Sequence, residues 1–365
     1  MRVVVVGGGV IGCSTAFALA RRGAEVVVVE RGSAGSGASS AAAGMLAPLS
    51  ESEEPGPFLE IGLEALSGVE DWVRAVEEAA GTRVDLVRSG VLKLARNDDQ
   101  AAELRVRLDW QRAHDRSVRY LSQPELYQLL PQLGPGFAGA LNYPPEAQVD
   151  ARRYADALRL AVETAGGRLM EGVAASRVMS GDGAVTAVET SADRLAADAV
   201  VIATGSEPEL LRQAGIDLPL SPVKGEMLRL RPQARLPPQI VFAPGGYLTP
   251  KADGTVLVGA TQFPGRHDLE VEAGSMAQLL EFAFMVYPTL RRARFVEAWA
   301  GLRPGLPDRL PAIGLTPHLK GLWVAVGHHR NGILLSGWTG ERLAAAILEA
   351  APLPNAVSPA RFRHS

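Results

Sequence analysis

Three glycines, Gly7, Gly9 and Gly12, follow the apolar run Val3 to Val6, and a carboxylate, Glu30, stands at the end of the next apolar run. This pattern suits a dinucleotide. Gly7 lets the chain turn tightly, Gly9 lets a pyrophosphate approach the backbone, and Gly12 lets a helix pack closely on a strand. The helix N-terminus then turns free N–H groups and a positive dipole end toward the phosphates. Glu30 can accept hydrogen bonds from the adenosine ribose, and a carboxylate there disfavours the 2′-phosphate of NADP. A second run of small residues, Gly32 to Gly44 (GSAGSGASSAAAG), suits an extended cofactor such as FAD. The chain carries one such fingerprint, whereas passing hydride from a nicotinamide to a flavin usually needs a second.

Other chemistries find little support. His328 and His329 are adjacent and point differently, which makes a poor chelating pair, so no metal site is expected. The single cysteine, Cys13, excludes an internal disulfide and a cysteine-built metal centre. No Ser–His–Asp order or paired-carboxylate motif competes. A formal net charge of −3 gives no electrostatic reason to bind nucleic acid or an anionic membrane.

The elements that must hold these residues can be read from periodicity. Val3 to Val6 is β-branched throughout, as in a parallel strand buried on both faces. Val10 to Arg22 reads as a helix, and Val26 to Val29 as a second buried strand, completing a βαβ unit. Leu59 to Ala80 and Asp99 to Arg112 have helical spacing, with a strand between them at Val84 to Leu94. Ala151 to Ala165 is a further helix, followed by strands at Arg168 to Ser176, Val185 to Thr190 and Asp198 to Ala203. A β-rich region runs from Ser221 to Ala260, then a helix from Gly274 to Val286. A strand at Leu322 to Val326 and a helix from Ser336 to Ala350 complete the chain.

With 365 residues, 47% of them apolar, two domains are expected. Glycine is in excess, at 39 residues, and crowds into residues 1–50 and 301–340. No segment reads as a signal peptide or membrane span, so a cytoplasmic protein is expected.

The segments GGGVIG, ERGSAGSGASSAAAGML, VVIATG, VKGE, VGAT, WAGLRP and GHHRNGILLSGWTG occur in that order between Val3 and Gly340. Together they resemble the D-amino-acid oxidase superfamily of FAD enzymes, most closely its glycine oxidase branch, which is linked to the thiazole of thiamine. The resemblance implies an α/β fold, with a Rossmann-like FAD-binding domain and an inserted α+β substrate domain on a mixed or antiparallel sheet. The expected division is 1–80, 145–220 and 299–365 for FAD, and 81–144 and 221–298 for substrate. By the same resemblance non-covalent FAD touches Val10, Ile11, Glu30, Arg31, Ala38, Ser39, Ala43, Gly44 and Met45. Val173 meets the adenine through its backbone, and the turn His328, His329, Arg330, Asn331, Gly332, Ile333, Leu334 passes the isoalloxazine.

Arg303 is the expected substrate residue, because a guanidinium presents parallel donors that fit a carboxylate. Tyr247 matches the position of a tyrosine whose hydroxyl reaches that carboxylate, and Arg330 is a second candidate beside substrate and flavin. Gly245 and Gln262 depart from the family pattern at the pocket wall. The implied activity is oxidation of glycine or another small amine or amino acid, such as sarcosine or a small D-amino acid. The products are an oxo acid, ammonia and hydrogen peroxide, with molecular oxygen as acceptor. The alternatives are a dehydrogenase serving a quinone or carrier, and a flavin-binding subunit without a substrate of its own. A homo-oligomer, tetrameric by analogy, is expected.

Overall fold

The computed structural model describes residues 1–362, so the last three residues of the expected 299–365 segment lie outside it. Val3, Val4 and Val5 are fully buried, because Arg2–Val6 is central in a sheet that is covered on both faces. It pairs in parallel with Glu25–Val29 on one side and Ala199–Ile202 on the other. Arg168–Met170 extends the sheet beyond Glu25–Val29, and Leu322–Val326 then Ala312–Leu315 extend it on the other side. Only the last of these strands is antiparallel to its neighbour. The helix Val10–Ala20 is buried along nearly its whole length, as an all-round apolar helix must be. Gly340 of the final helix, Gly332–Glu349, sits so close to it that a Cβ there would lie 2.6 Å from the Ser14 carbonyl oxygen.

A second sheet has nine strands. Arg294–Gly305 forms one edge and pairs along its length with Ser221–Arg231. Beyond that strand come Val256–Gly259, with the short Phe263–Pro264 beside it, then Gly246–Pro250, Ile240–Ala243, Val91–Ala95, Gly139–Tyr143 and Arg119–Ser122. All pairs are antiparallel except Ile240–Ala243 with Val91–Ala95. The sheet is therefore mixed, as expected. Side chains alternate across it. Leu92, Leu94, Leu228 and Leu248 pack under the helix Ala273–Val286, through Leu279, Phe282 and Val286. The opposite face carries Lys93, Phe242, Tyr247, Met227 and Trp299, one from each of five strands in register, with Gly259 between Tyr247 and Met227.

Several expected boundaries move. Leu59 to Ala80 is two helices, Pro57–Ser67 and Val69–Ala80, broken at Gly68. The strand expected from Val84 starts only at Val91, since Asp85 sits at φ 55° and Val87 makes a lone bridge to Gln148. The single strand expected over Arg168 to Ser176 divides at Gly172 (φ 69°). Its first part joins the parallel sheet, and Ala175–Gly181 opens a small antiparallel one. The final helix begins at Gly332 rather than Ser336. Arg294–Gly305 is continuous across the expected boundary at 299 and belongs wholly to the nine-stranded sheet. Among the described residues, no helix is long and apolar enough to cross a membrane.

The short helix Pro48–Glu51 joins the two sheets and is fixed from below. Glu146 accepts from the Leu49 and Ser50 N–H groups at 2.7 and 2.9 Å, while Gln111 donates to the Leu49 carbonyl at 2.9 Å. Glu146 is buried, which pushes its carboxyl from 4.5 up to about 8. The folded state therefore holds this proton between roughly those two values while the unfolded chain does not. The stability it contributes is complete below the lower value and is lost as pH rises through the higher one. Glu146→Gln keeps the accepting oxygen and removes the titration. Thermal unfolding should show the variant gaining on the native protein as pH rises from about 5 to about 8; a constant difference would exclude Glu146 as the titrating group.

Candidate functional site

A cavity of about 1270 Å³ lies between the parallel sheet and the open face of the nine-stranded one, larger than most ligand sites. At one end Gly7 and Gly9 bring backbone to its surface. Gly7 adopts φ 110°, and a Cβ on Gly12 would lie 1.9 Å from the Gly7 carbonyl oxygen, so strand and helix meet without side chains between them. The Val10 N–H, at the helix N-terminus, donates to Ser39 Oγ at 3.0 Å, which ties the fingerprint to the small-residue segment. Glu30 closes this end. Its carboxylate accepts from the Gly8 N–H at 2.7 Å and the Gly32 N–H at 2.8 Å.

The middle of the cavity is bounded by backbone. A Cβ on Gly44 would lie 2.1 Å from the Val149 carbonyl oxygen, and one on Gly301 would lie 2.5 Å from Ala41 Cβ. Trp299 Nε1 donates to the Ala41 carbonyl at 3.0 Å, and Arg152 stacks over the Trp299 ring while pairing with Glu297.

At the far end Arg303 lies diagonally across the neighbouring strand over Gly225, where a Cβ would be 2.1 Å from the guanidinium. Tyr247 lies over Gly259 in the same way, 2.6 Å from where a Cβ would be. Arg303 donates to the Thr261 carbonyl at 3.3 Å and has no carboxylate partner among the described residues. Burial pushes the Tyr247 phenol up, against the opposing pull of the Arg303 charge, so it remains a donor. Arg330 differs. It is ion-paired to Glu51, whose side chain is 7% exposed, and so braces the Pro48–Glu51 helix.

Most expected residues do face the cavity: Gly7, Gly9, Val10, Ile11, Glu30, Arg31, Ala38, Ser39, Ala43, Gly44, Met45, Tyr247, Arg303, His328, His329, Arg330, Gly332 and Ile333. Four do not. Gly12 is covered by Gly7. The Val173 N–H is spent on the Glu30 carbonyl at 2.9 Å, and its neighbours Ala174 to Ser176 line the wall instead. Asn331 precedes the final helix without reaching the wall, and Leu334 lines a separate pocket beside Trp72 and Trp338. Arg31 is on the wall but pairs with Glu207 at 3.2 Å. His328 is buried against Thr339 Oγ1 at 3.1 Å, and burial lowers it to about 3. His329, at φ 50°, is lowered to about 4 by burial and then by the charges of Arg330, Arg303 and Arg309. Both imidazoles are neutral near pH 7. Sequence reasoning missed Lys93, Glu51, Phe242, Met227 and Trp299, all on the wall. A lysine alone within the apolar strand VLKLA was the one available signal.

Residues 2–346 match the family model described as FAD dependent oxidoreductase. The chain is 38% identical over 341 residues to a glycine oxidase from Geobacillus kaustophilus (strain HTA426), covering 93% of this chain and 90% of that protein. It is 34% identical to the bifunctional protein ThiO/ThiG of Synechocystis sp., covering 99% of this chain and 54% of that one. The crystal structure of glycine oxidase from Geobacillus kaustophilus superposes with a TM-score of 0.95 at 37% identity, over 99% of both chains. L-proline dehydrogenase from P. horikoshii shares the fold, with a TM-score of 0.87 at 21% identity over 99% of this chain and 97% of that one.

The cavity fits FAD. It has the Glu30 carboxylate at one end and passes a helix N-terminus faced by nothing larger than the Ser39 hydroxyl. Glu30→Ala removes the acceptor that anchors both the glycine turn and the proposed ribose contact. Titration of the apoprotein with FAD, followed by flavin fluorescence, should show affinity falling about tenfold or more. Unchanged affinity would remove Glu30 from the cofactor site.

Proposed function

This chain belongs to the family of FAD dependent oxidoreductases, and we propose that within it the protein oxidises glycine and other small amino acids and amines, sarcosine and small D-amino acids among them. The observation that carries the reading is Arg303. Of the arginines on the cavity wall, Arg31, Arg152 and Arg330 are spent on carboxylates, and Arg303 has only the Thr261 carbonyl and the Tyr247 hydroxyl oxygen, with no carboxylate. A guanidinium in that state is a receptor for a carboxylate. Tyr247 adds a neutral hydroxyl donor beside it. The two fix the amino acid by its carboxylate, so the α-carbon is presented in one orientation. The positive charge of Arg303 also disfavours an ammonium and favours the neutral amine that can be oxidised. FAD, when bound, supplies the acceptor for the substrate α-hydrogen as hydride and the route for its electrons to oxygen. The imine left behind takes up water and releases an oxo acid and ammonia, or methylamine where the substrate is sarcosine, with hydrogen peroxide as the other product.

Gly245 and Gln262 on the wall shape the room beyond the α-carbon. The likeness to half of the bifunctional ThiO/ThiG proteins supports use of the product in building the thiazole of thiamine. The same proposal assigns FAD to residues 1–80, 145–220 and the C-terminal segment, and substrate to 81–144 and the nine-stranded sheet through Gly305. It carries with it a cytoplasmic homo-oligomer, which fractionation and light scattering test.

Anaerobic mixing with glycine should bleach the flavin absorbance, and in air one peroxide should form per glycine. Arg303→Ala should raise the KM for glycine roughly 100-fold, as expected for a charge-assisted pair of about 2–3 kcal/mol. Bleaching that depends on glycine as in the native protein would show that Arg303 is not the clamp.

A further inference from the structure

The cavity holds a second cation without an ion pair. Lys93 stands at the centre of Val91–Ala95, facing away from the leucines on either side of it, and lines the cavity. Its ammonium carries three donors, of which one is used, on the Ser50 carbonyl at 3.0 Å. Of the charges around it, Glu51 on the Pro48–Glu51 helix is committed to Arg330, Glu53 lies beyond that helix, and Arg107 donates to the Ser52 carbonyl. Burial, and then the Arg107 charge, hold the Lys93 ammonium down at about 8. A part-buried ammonium with no carboxylate in direct contact, only Glu51 and Glu53 acting at a distance, is costly, and an apolar residue would suit this strand better unless an anion comes to it.

Register says where that anion would lie. Lys93 is directly opposite Phe242, and Phe242 is directly opposite Tyr247. Two strand spacings therefore separate Lys93 from Tyr247, roughly 10 Å between backbones. The Phe242 ring fills the interval, 5.6 Å from that of Tyr247. The floor thus has an anion-binding end at Arg303 and Tyr247, an aromatic middle, and a cation at Lys93.

We propose that Lys93 is a specificity-determining residue, and that the site accepts amino acids bearing a second carboxylate, the α-carboxylate on Arg303 and Tyr247 and the distal one on Lys93. This rests on the amino-acid oxidase reading for the first clamp and deepens it by naming a substrate class.

The test uses the FAD-loaded enzyme and unreactive acids of matched length. Dissociation constants for propionate and butyrate against succinate and glutarate are read from the perturbed flavin absorbance at pH 7. One of the dicarboxylates should bind about tenfold or more tightly than its monocarboxylate counterpart, the scale of one charge-assisted hydrogen bond. Lys93→Met should bring that ratio to about one, and Lys93→Arg should keep it. In the native enzyme the ratio should shrink as pH rises through about 8, where Lys93 loses its charge. A native ratio near one, or a ratio that survives Lys93→Met, overturns the inference and leaves Lys93 a brace for the Ser50 carbonyl. In both cases monocarboxylate binding and bleaching by glycine leave the oxidase reading standing. If neither occurs, that reading falls and takes this inference with it.

Discussion

One buried lysine, its amino group held down at about 7 by burial, ties the two sheets together. Lys251 follows the strand Gly246–Pro250 and donates to the Ala43 carbonyl at 2.6 Å, the Val149 carbonyl at 3.0 Å and Gln148 Oε1 at 3.0 Å. The amino group meets three oxygens, which fixes the small-residue segment against the chain that leads into the helix Ala151–Thr164. Gly44 and Val149 exchange a further backbone bond at 2.9 Å in the same place. The cavity wall from Ala38 to Met45 is placed by backbone contact, and side chains there would push the sheets apart. This explains the small residues at Ala41 and Gly44, which meet Gly301 and the Val149 carbonyl.

That seam also sorts the charges. Arg152 reaches from its helix to Glu297 on the edge strand, and Arg330 reaches back to Glu51, so both brace the walls. What remains open to a ligand is Arg303 and Lys93, with two neutral histidines and a neutral phenol beside them. A partly closed, low-dielectric space with unspent positive charge attracts anions before any specific contact forms. The sequence contains 33 arginines and four lysines, so abundance alone says nothing of this. The distinction lies in which cations have found a carboxylate.

The parts legible from sequence are those whose partners are near in the chain. The first strand, its glycine turn and Glu30 form a local unit, and the structure holds them as expected. Arg303 was reached through an ordered set of motifs, and it does face the cavity. The row from Lys93 through Phe242 to Tyr247 was not legible, because it depends on register between strands separated by about 150 residues. Arg330 does face the cavity, but its ion pair with Glu51 is not legible for a similar reason. Its partner Glu51 is 279 positions away, so nothing local betrays the ion pair. The final helix was started late because Gly332 is a poor helix former, and tertiary packing of Ile333 and Leu334 overrides that preference.

The glycine excess then divides into two kinds of constraint. Gly7, Gly12 and Gly44 let backbone meet backbone around the cofactor end, as their positions in the chain suggested. Gly225 and Gly259 belong to the middle of the chain and do something else. Each empties a site on the sheet surface so that a neighbouring side chain can lie flat across it, Arg303 over one and Tyr247 over the other. Side chains on a sheet ordinarily stand away from it. These two lie down because a glycine one strand over, directly opposite Tyr247 and diagonal to Arg303, has no Cβ to hold them up. The geometry of the proposed carboxylate clamp is therefore encoded as much in two absences as in the arginine and tyrosine themselves.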